Sequence, residues 1–227
     1  MTDVGVDRLV FSSSCAVYGV PISIPIDEDS PTVPINPYGE TKLQVERVLR
    51  WYGTTHGLKW VALRYFNAAG ADPDGEIGEC HDPETHLLPL AIQAALGQRP
   101  PLHIRGTDYP TKDGTAVRDF VHVSDLAEAH VLALDYLEAG GASGPLNLGT
   151  GTGYSILEIM EEIQRNSNRQ VPCLSSSRRE GDPPALIGNP ARARLVLGWQ
   201  PSRSDLPTIV RTAMEWQQMQ ALSSAAE

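Results

Sequence analysis

A tyrosine and a lysine four residues apart are the sharpest chemical feature of the sequence. Tyr38 and Lys42 belong to the segment YGETK, and positions i and i+4 share one face of a helix. A lysine ammonium beside a phenol favours the phenolate, which lowers the pKa of the tyrosine toward neutrality. Such a tyrosine can take a proton from a substrate hydroxyl. The pattern predicts a general base at Tyr38, although many such pairs are solvated helix faces.

A strand that ends in serines strengthens this prediction. The segment 8–14 reads as a buried strand, and Ser14 ends it about two dozen residues before Tyr38. Ligands of open α/β sheets lie beyond the carboxyl ends of the strands. We therefore expect Ser14 to lie where a substrate and Tyr38 meet, with its hydroxyl free to hydrogen-bond the reacting oxygen.

Strands and helices that alternate along the chain must position these side chains. Asn36 and Pro37 suit the start of a helix over 37–55, and Ser155 with Glu158 forms a capping box. The alternation indicates an α/β protein with a mostly parallel sheet. The predicted strands are 8–14, 61–67, 102–106, 145–150 and 171–176, and the predicted helices are 37–55, 87–96, one from about Ser124, 155–166, 190–197 and 207–220.

Composition excludes several classes of protein. The 227 residues carry a formal net charge of −10, which argues against nucleic acid or an anionic membrane as a main partner. The apolar runs are too short to cross a bilayer, and no signal peptide is recognised. Three cysteines without C-x-x-C spacing indicate free thiols in a reducing cytoplasm. The six histidines show no metal-ligand spacing, so no metal site is expected.

Six segments in a fixed order carry a resemblance to a known family. Together they resemble the UDP-glucose 4-epimerases, NAD-dependent extended short-chain dehydrogenases/reductases of the epimerase/dehydratase group. The resemblance runs from about residue 5 to 216 and rests on order and spacing, since each motif alone is modest. The segments are SSSCAVYG, NPYGETK, LRYFNAAGADPDGEIGE, GTDYPTKDGTAVRDFVHVSDLAEAH, NLGTG and RREGDPP.

The resemblance implies a mechanism that interconverts UDP-glucose and UDP-galactose, as in galactose metabolism. NAD takes hydride from C4 of the hexose while the tyrosine removes the O4 proton, and the 4-keto sugar then turns and receives hydride on its other face. By this resemblance Tyr38 is the base, Lys42 holds the cofactor ribose and tunes Tyr38, and Ser14 bridges to the sugar O4. Phe66 would touch the nicotinamide.

The same resemblance implies a nucleotide-sugar site. Asn67 would bind the diphosphate, Arg118 and Arg179 would clamp it with planar guanidinium groups, and Asp182 would accept from the uridine ribose. On the residues alone, an arginine paired with a nearby surface carboxylate is the alternative.

Three positions depart from the family pattern. His86-Leu87 stands where many members have Asn-Leu, so the backbone contact is kept while the side-chain contact changes. Arg105 occupies an often aromatic position, where it could stack on uracil instead. Leu186 replaces a tyrosine that narrows the sugar pocket in some members, and this smaller residue could admit N-acetylated sugars.

The residues around Ser14 also bear on reactions other than epimerisation. Sugar-nucleotide 4,6-dehydratases need an acidic pair after the strand serine, and Cys15-Ala16 stands there. Decarboxylation of a UDP-hexuronate is a further alternative. Rivals from another class are a non-catalytic chain that binds a nucleotide sugar and one half of a split enzyme.

A glycine-rich cofactor loop is not found in the sequence. G-x-x-G-x-x-G is absent, and Gly149-Thr-Gly151-Thr-Gly153-Tyr154 fails as G-x-G-x-x-G because Tyr154 stands at the third glycine. We interpret this loop as a decoy beside the substrate. The expectation is a truncated chain that lacks an amino-terminal segment of about a hundred residues, does not hold NAD tightly and has little activity alone.

The predicted fold is a partial doubly wound, Rossmann-like parallel sheet joined to a smaller α/β unit. Residues 1–67 and about 118–150 would form the carboxy-terminal part of the NAD-binding domain. Residues of about 68–117 and 151–220 would form the nucleotide-sugar domain, with a tail over 221–227. The resemblance also implies a homodimer built from two helices per subunit, of which helix 37–55 would supply one and the missing segment the other.

Overall fold

The computed structural model describes residues 1–225, in which strands and helices alternate as the sequence indicates. Short 3₁₀ turns lie at Thr2–Val4 and Cys15–Tyr18. The elements are, in chain order, β1 (Arg8–Ser14), α1 (Pro37–His56), β2 (Lys59–Tyr65), β3 (Asn67–Ala69), α2 (Leu87–Ala95), β4 (Leu102–Arg105), β5 (Val117–Arg118), β6 (Phe120–His122), α3 (Val123–Glu138), β7 (Gly144–Leu148), β8 (Tyr154–Ser155), α4 (Ile156–Ser167), β9 (Cys173–Ser176), β10 (Ala185–Leu186), α5 (Ala191–Leu197) and α6 (Leu206–Ala225).

Local capping signals set most helix starts. The Asn36 side chain accepts from Gly39 N at 2.8 Å at the start of α1, and Ser155 with Glu158 forms the predicted capping box of α4. The start of α3 differs, because the His122 ring, rather than the Ser124 hydroxyl, caps it and accepts from Ser124 N at 3.1 Å. At the other end of the chain, α6 continues through most of the predicted tail 221–227, and residues 226–227 lie outside the described part.

The central sheet has the order β1-β2-β7 with all pairs parallel. Ser14 pairs with Tyr65, which pairs in turn with Leu148. The carboxyl ends of the three strands therefore meet at one edge of the sheet. This confirms the predicted α/β class with parallel strands.

Helices cover both faces of this sheet. Successive side chains of a strand point to opposite faces, so β2 contributes apolar side chains to both. On one face, Leu49 of α1 packs in a cluster with Trp60 and Ala62. On the other face, Ala129 of α3 packs with Val61 and Leu63.

A second core lies under α2, α4 and α6. It contains Ile92, Ile159, Ile163 and Ile209, all buried. Strands β4 and β9 pair in parallel beside it. Within residues 1–225, no helix is both long and apolar enough to span a membrane.

Two residues connect the last segment of the chain to the sheet rather than to this second core. Ala193 of α5 and Trp199 are buried in the sheet cluster. The segment 151–220, which the sequence assigns to the nucleotide-sugar unit, therefore also contributes to the packing of the sheet.

Candidate active site

A pocket of about 1210 Å³ opens between the carboxyl end of the sheet and the second core. Ten of the twelve predicted site residues line it, and Lys42 and Leu186 do not. The lining residues of this group are Ser14, Tyr38, Phe66, Asn67, His86, Leu87, Arg105, Arg118, Arg179 and Asp182.

The sheet edge and the first turn of α1 bring Ser14 and Tyr38 together. Ser14 is buried at the end of β1, and its Oγ accepts from Ala16 N at 3.2 Å. A Cβ atom at Gly39 would lie only 2.4 Å from Ala16 O. Glycine at this position therefore lets the start of α1 approach the turn that follows β1, which places the Tyr38 phenol beside the Ser14 hydroxyl.

The pKa of Tyr38 moves in the opposite direction to the sequence expectation. Burial raises the pKa of Tyr38, and a hydrogen bond with Ser14 lowers it by less. Lys42 does not counter the burial, because its Nζ donates to Ser12 O at 2.9 Å and lies 5.5 Å from the centre of the Tyr38 ring. In this structure the expected lowering of the tyrosine pKa toward neutrality is wrong.

Arg118 and Asp182 pair with each other on the pocket wall. Arg118 Nη2 donates to Asp182 Oδ1, and Arg118 Nη1 donates to Val117 O at 2.8 Å. The two side chains are 11% and 28% exposed. The alternative of an arginine bound to a carboxylate is thus observed, but the carboxylate is itself a predicted ligand group. Arg179 lines the same pocket and is exposed.

The remaining lining residues occupy element ends. His86 occupies the N-cap position of α2 without a side-chain capping hydrogen bond, Leu87 begins the helix, and Arg105 is exposed at the end of β4. Asn67 Nδ2 donates to Asp119 O at 2.7 Å. These residues lie at or beside the ends of a helix and strands that the sequence predicts.

Leu186 packs away from the pocket lining. It lies against the cluster of Val17, Tyr18 and Phe66, and it pairs with Arg118 across β10 and β5. Phe66 reaches both this cluster and the pocket. Leu186 therefore contacts the pocket wall from behind.

Asp119 has a role beside the pocket that the sequence alone does not predict. Its buried carboxylate accepts from Thr150 N at 3.0 Å, from Gly151 N at 3.3 Å and from Gly188 N at 3.1 Å. Burial raises the pKa of Asp119, and these hydrogen bonds lower it by less. The only sequence signal was an acidic residue directly after Arg118, between two short apolar strands.

The Asp119 carboxylate explains the loop that starts at Gly149. The backbone N–H groups that a phosphate would need are already paired with a carboxylate of this chain. A Cβ at Gly149 would lie 2.7 Å from Asp119 Oδ2, so glycine serves the close approach of that carboxylate. In this structure the loop therefore binds a carboxylate of the same chain.

Comparisons with known proteins show the family to which the chain is similar. The profile of the NAD dependent epimerase/dehydratase family matches residues 1–149. The UDP-glucose 4-epimerase of Lacticaseibacillus casei is 51% identical over 216 residues, which are 95% of this chain and 65% of that protein. The enzyme of the same name from Azospirillum brasilense is 54% identical over 213 residues, 94% of this chain and 61% of that protein. The chain thus spans less than two thirds of the length of these curated relatives.

Solved structures show the same likeness. The UDP-glucose 4-epimerase of Brucella ovis in complex with NAD has a TM-score of 0.92 and 53% identity, covering 94% of this chain and 66% of that chain. The enzyme from Stenotrophomonas maltophila, with bound NAD and formylated UDP-arabinopyranose, has a TM-score of 0.94 and 41% identity, covering 98% of this chain and 67% of that chain.

Proposed function

The chain belongs to the NAD-dependent epimerase/dehydratase family, and from this premise we propose that it carries the sugar-binding and proton-transfer site of a UDP-glucose 4-epimerase. The observation that supports this is one pocket with Tyr38 and Ser14 at the sheet edge and Arg118 with Asp182 on its wall. We assign the sheet to the cofactor and the α2–α4–α6 unit to the nucleotide sugar.

In the proposed reaction Tyr38 exchanges a proton with O4 of the hexose. Ser14, which lines the same pocket at the end of β1, would hydrogen-bond the reacting oxygen. NAD, when bound, would supply the reversible two-electron oxidation of C4, the carbon that bears O4. The 4-keto sugar would then turn in the pocket, so that C4 regains hydride on its opposite face while O4 takes the proton back from Tyr38, and this would invert C4.

The described residues fit one end of NAD. Phe66 borders the pocket where a nicotinamide would lie, and the Lys42 ammonium at the end of β1 suits a ribose hydroxyl. The pyrophosphate has no comparable partner among residues 1–225, since Asp119 already binds the loop of Gly149 and Gly151. We therefore assign the nicotinamide riboside end, and no more, to these residues.

The diphosphate of the UDP-sugar is assigned to Arg118 and Arg179. A guanidinium is always charged and can bind phosphate oxygens in a bidentate manner. We assign Asp182 as an acceptor for a ribose hydroxyl of the nucleotide. Calorimetric titration with UDP tests this assignment. Saturable binding is expected, with a loss of tenfold or more in affinity on Arg179→Ala.

Arg178 provides a matched control for that experiment. It adjoins Arg179 but donates to Asp108 at 2.8 Å and does not line the pocket. Arg178→Ala should therefore bind UDP as the parent chain does. Absence of UDP binding by the parent chain, or an equal loss in both variants, would contradict the assignment.

The reaction itself is tested by supplying NAD and UDP-glucose and following UDP-galactose. A nucleotide-sugar-binding chain without turnover would bind UDP and form no product, and a decarboxylase would release carbon dioxide from a UDP-hexuronate. A dehydratase is disfavoured because burial raises the pKa of the Cys15 thiol to about 12, which makes it a poor acid. Turnover of UDP-N-acetylgalactosamine would test whether Leu186, behind the pocket wall, leaves room for an N-acetyl group.

We also propose that α1 joins two copies of the chain. Val45, Val48 and Tyr52 are exposed at i, i+3 and i+7 of this helix, and Trp51 beside them is 70% exposed. An apolar stripe of this kind suits the same stripe on a second copy, packed as a helix pair. Analytical ultracentrifugation should show a dimer that Trp51→Glu dissociates, whereas Val131→Glu, at an exposed site on α3, should leave it intact.

A cytoplasmic setting is proposed with this function. The three cysteines, Cys15, Cys80 and Cys173, are all unpaired in the structure, and free thiols are typical of a reducing compartment.

A further inference from the structure

The loop between β3 and α2 gathers two imidazoles and two carboxylates. Glu79, His81, Glu84 and His86 each offer one ligand atom, and these atoms all lie within 4.8 Å of one another. The spacing E-x-H-x-x-E-x-H does not match a known ligand pattern such as H-E-x-x-H, so the sequence alone predicts no metal site here. The loop, rather than a helix, brings the four groups together.

The Nδ1 atom of His86 lies at the centre of this group. It is 2.6 Å from Glu79 Oε1 and 3.0 Å from Glu84 Oε1. The His81 ring lies beside it, with the ring centres 5.3 Å apart. The Nδ1 atom of His86 is thus close to both carboxylates, and an ion bound between the two carboxylates would also be near this ring nitrogen.

The charge balance of the group also favours a cation. The Glu84 side chain is only 8% exposed and that of Glu79 is 31% exposed. Within residues 1–225, both carboxylates form ion pairs with His86 and with no lysine or arginine. Two partly buried carboxylates beside each other are costly unless a positive charge compensates them.

Neighbouring contacts hold the ligand groups in place. Glu84 Oε1 accepts from Thr85 N at 2.6 Å and from His86 N at 2.7 Å. Trp216 Nε1 donates to Glu79 O at 2.8 Å and fixes that end of the loop against α6. Such supporting hydrogen bonds orient metal ligands and increase their affinity.

We propose that Glu79, His81, Glu84 and His86 form a binding site for Zn²⁺ or a similar transition-metal ion. Two nitrogen and two oxygen ligands suit this ion, and a tetrahedral Zn²⁺ with bonds of about 2.0–2.2 Å holds its ligand atoms about 3.4 Å apart. The ligand atoms lie within 4.8 Å of one another, so the proposal requires their side chains to adjust to that spacing. Mg²⁺ prefers oxygen ligands and octahedral geometry, so the site selects against it.

The site adjoins the pocket but does not depend on the proposed reaction. Glu79 and His86 line the pocket, whereas His81 and Glu84 do not. A bound ion would fix the His86 imidazole and the loop at the edge of the pocket. Because the proposed ion site does not require a bound sugar nucleotide, metal binding can be measured without any substrate.

Equilibrium dialysis of the full chain, stripped with a chelator and then equilibrated with ZnCl₂, tests the proposal. One Zn²⁺ per chain is expected, and a tenfold excess of MgCl₂ should not displace it. His81→Ala and Glu84→Gln should each lower the affinity by tenfold or more. Co²⁺ should bind in place of Zn²⁺ and give visible absorption bands that the same two variants lose.

Matched controls separate the site from general surface binding. Glu76→Gln changes an exposed carboxylate of the same loop, and His56→Ala changes an exposed imidazole on α1; both should bind Zn²⁺ as the parent chain does. Circular dichroism of the metal-free variants establishes that they are folded. Absence of saturable Zn²⁺ binding, or equal binding by the folded His81→Ala and Glu84→Gln variants, would overturn the proposal.

Discussion

The carboxylate of Glu46 on α1 and the guanidinium of Arg64 on β2 form an ion pair in the interior of the protein. Glu46 Oε2 lies 2.5 Å from Arg64 Nη2, and each side chain is 4% exposed. Ser13 Oγ donates to the same carboxylate at 2.6 Å, and Arg64 Nη1 donates to Tyr18 OH at 3.0 Å. This pair connects the helix that carries Tyr38 to two strands of the sheet.

Glu46→Gln should therefore destabilise the fold strongly. The substitution keeps the shape of the side chain but leaves the Arg64 guanidinium buried without a counter-charge, which costs about 3–5 kcal/mol. Urea unfolding followed by circular dichroism measures this loss. Arg47→Ala is the control, since Arg47 pairs with Glu40 at 3.5 Å on the surface and such pairs contribute about 0–1 kcal/mol. Equal losses in the two variants would contradict this account of the pair.

Gly39→Ala should displace the start of α1. The added Cβ would lie 2.4 Å from Ala16 O and 3.1 Å from Pro34 Cβ, and overpacking of this kind costs about 1–3 kcal/mol. Because α1 has to move away from the turn after β1, Tyr38 should lose its position beside Ser14 and the rate of epimerisation should fall. The measurements are the free energy of unfolding and kcat under saturating UDP-glucose.

A second glycine provides the control for Gly39. A Cβ at Gly144 in β7 would have no heavy atom within 4 Å, so Gly144→Ala should be tolerated. If Gly39→Ala were as stable and as active as Gly144→Ala, the close approach of α1 to Ala16 would have no role in positioning Tyr38.

Local sequence signals predict where helices and strands lie. The buried contacts between distant elements cannot be predicted from these signals. Asn36, Pro37 and the Ser155–Glu158 box act within one helical turn, so residue types alone revealed them. Glu46 and Arg64 carry charges that usually lie at a surface, and only the packing of α1 on β2 makes them a buried pair. The sequence therefore predicted Tyr38 and Ser14, whose elements are close in the chain, and missed the supporting network.

The same limit applies to the pocket. Arg118 and Asp182 were both predicted as ligand groups, yet their mutual ion pair depends on a contact between residues 64 positions apart. The sequence also predicted a lowered pKa for Tyr38, whereas the structure raises it. The shift depends on burial of the phenol and on the Ser12 carbonyl that binds Lys42. Neither quantity can be derived from the i, i+4 spacing.

Acidification to mildly acidic pH should lower the stability of the fold, because it favours a protonated His122 that the folded state disfavours. Burial lowers the pKa of His122, and its ring contacts Thr212 Oγ1 at 3.1 Å through Nε2. The unfolded chain binds a proton at a pKa near 6.5, while the folded chain binds it only at lower pH. Stability from this group is therefore present above about pH 6.5 and is lost as the pH falls, by up to about 1.4 kcal/mol per pH unit.

Urea unfolding of the parent chain and of His122→Gln between pH 7.5 and 5.0 measures this effect. The variant should lose less stability on acidification than the parent chain, whatever its stability at pH 7.5. His56→Gln, at an exposed position on α1, should keep the parent dependence. Parallel curves for the parent chain and His122→Gln would show that the buried imidazole does not govern the acid response.

Tyr38→Phe should abolish most of the proposed epimerase activity and leave UDP binding nearly unchanged. Removal of the phenol removes the group that exchanges the O4 proton, and such groups contribute about 10²–10⁴-fold to the rate. Burial raises the pKa of Tyr38, so the phenolate is the minor form at neutral pH and kcat/KM of the parent chain should increase as the pH rises. Tyr52→Phe, on the exposed face of the same helix, should retain both the rate and this pH profile. A pH-independent rate in the parent chain, or an active Tyr38→Phe variant, would exclude Tyr38 as the base.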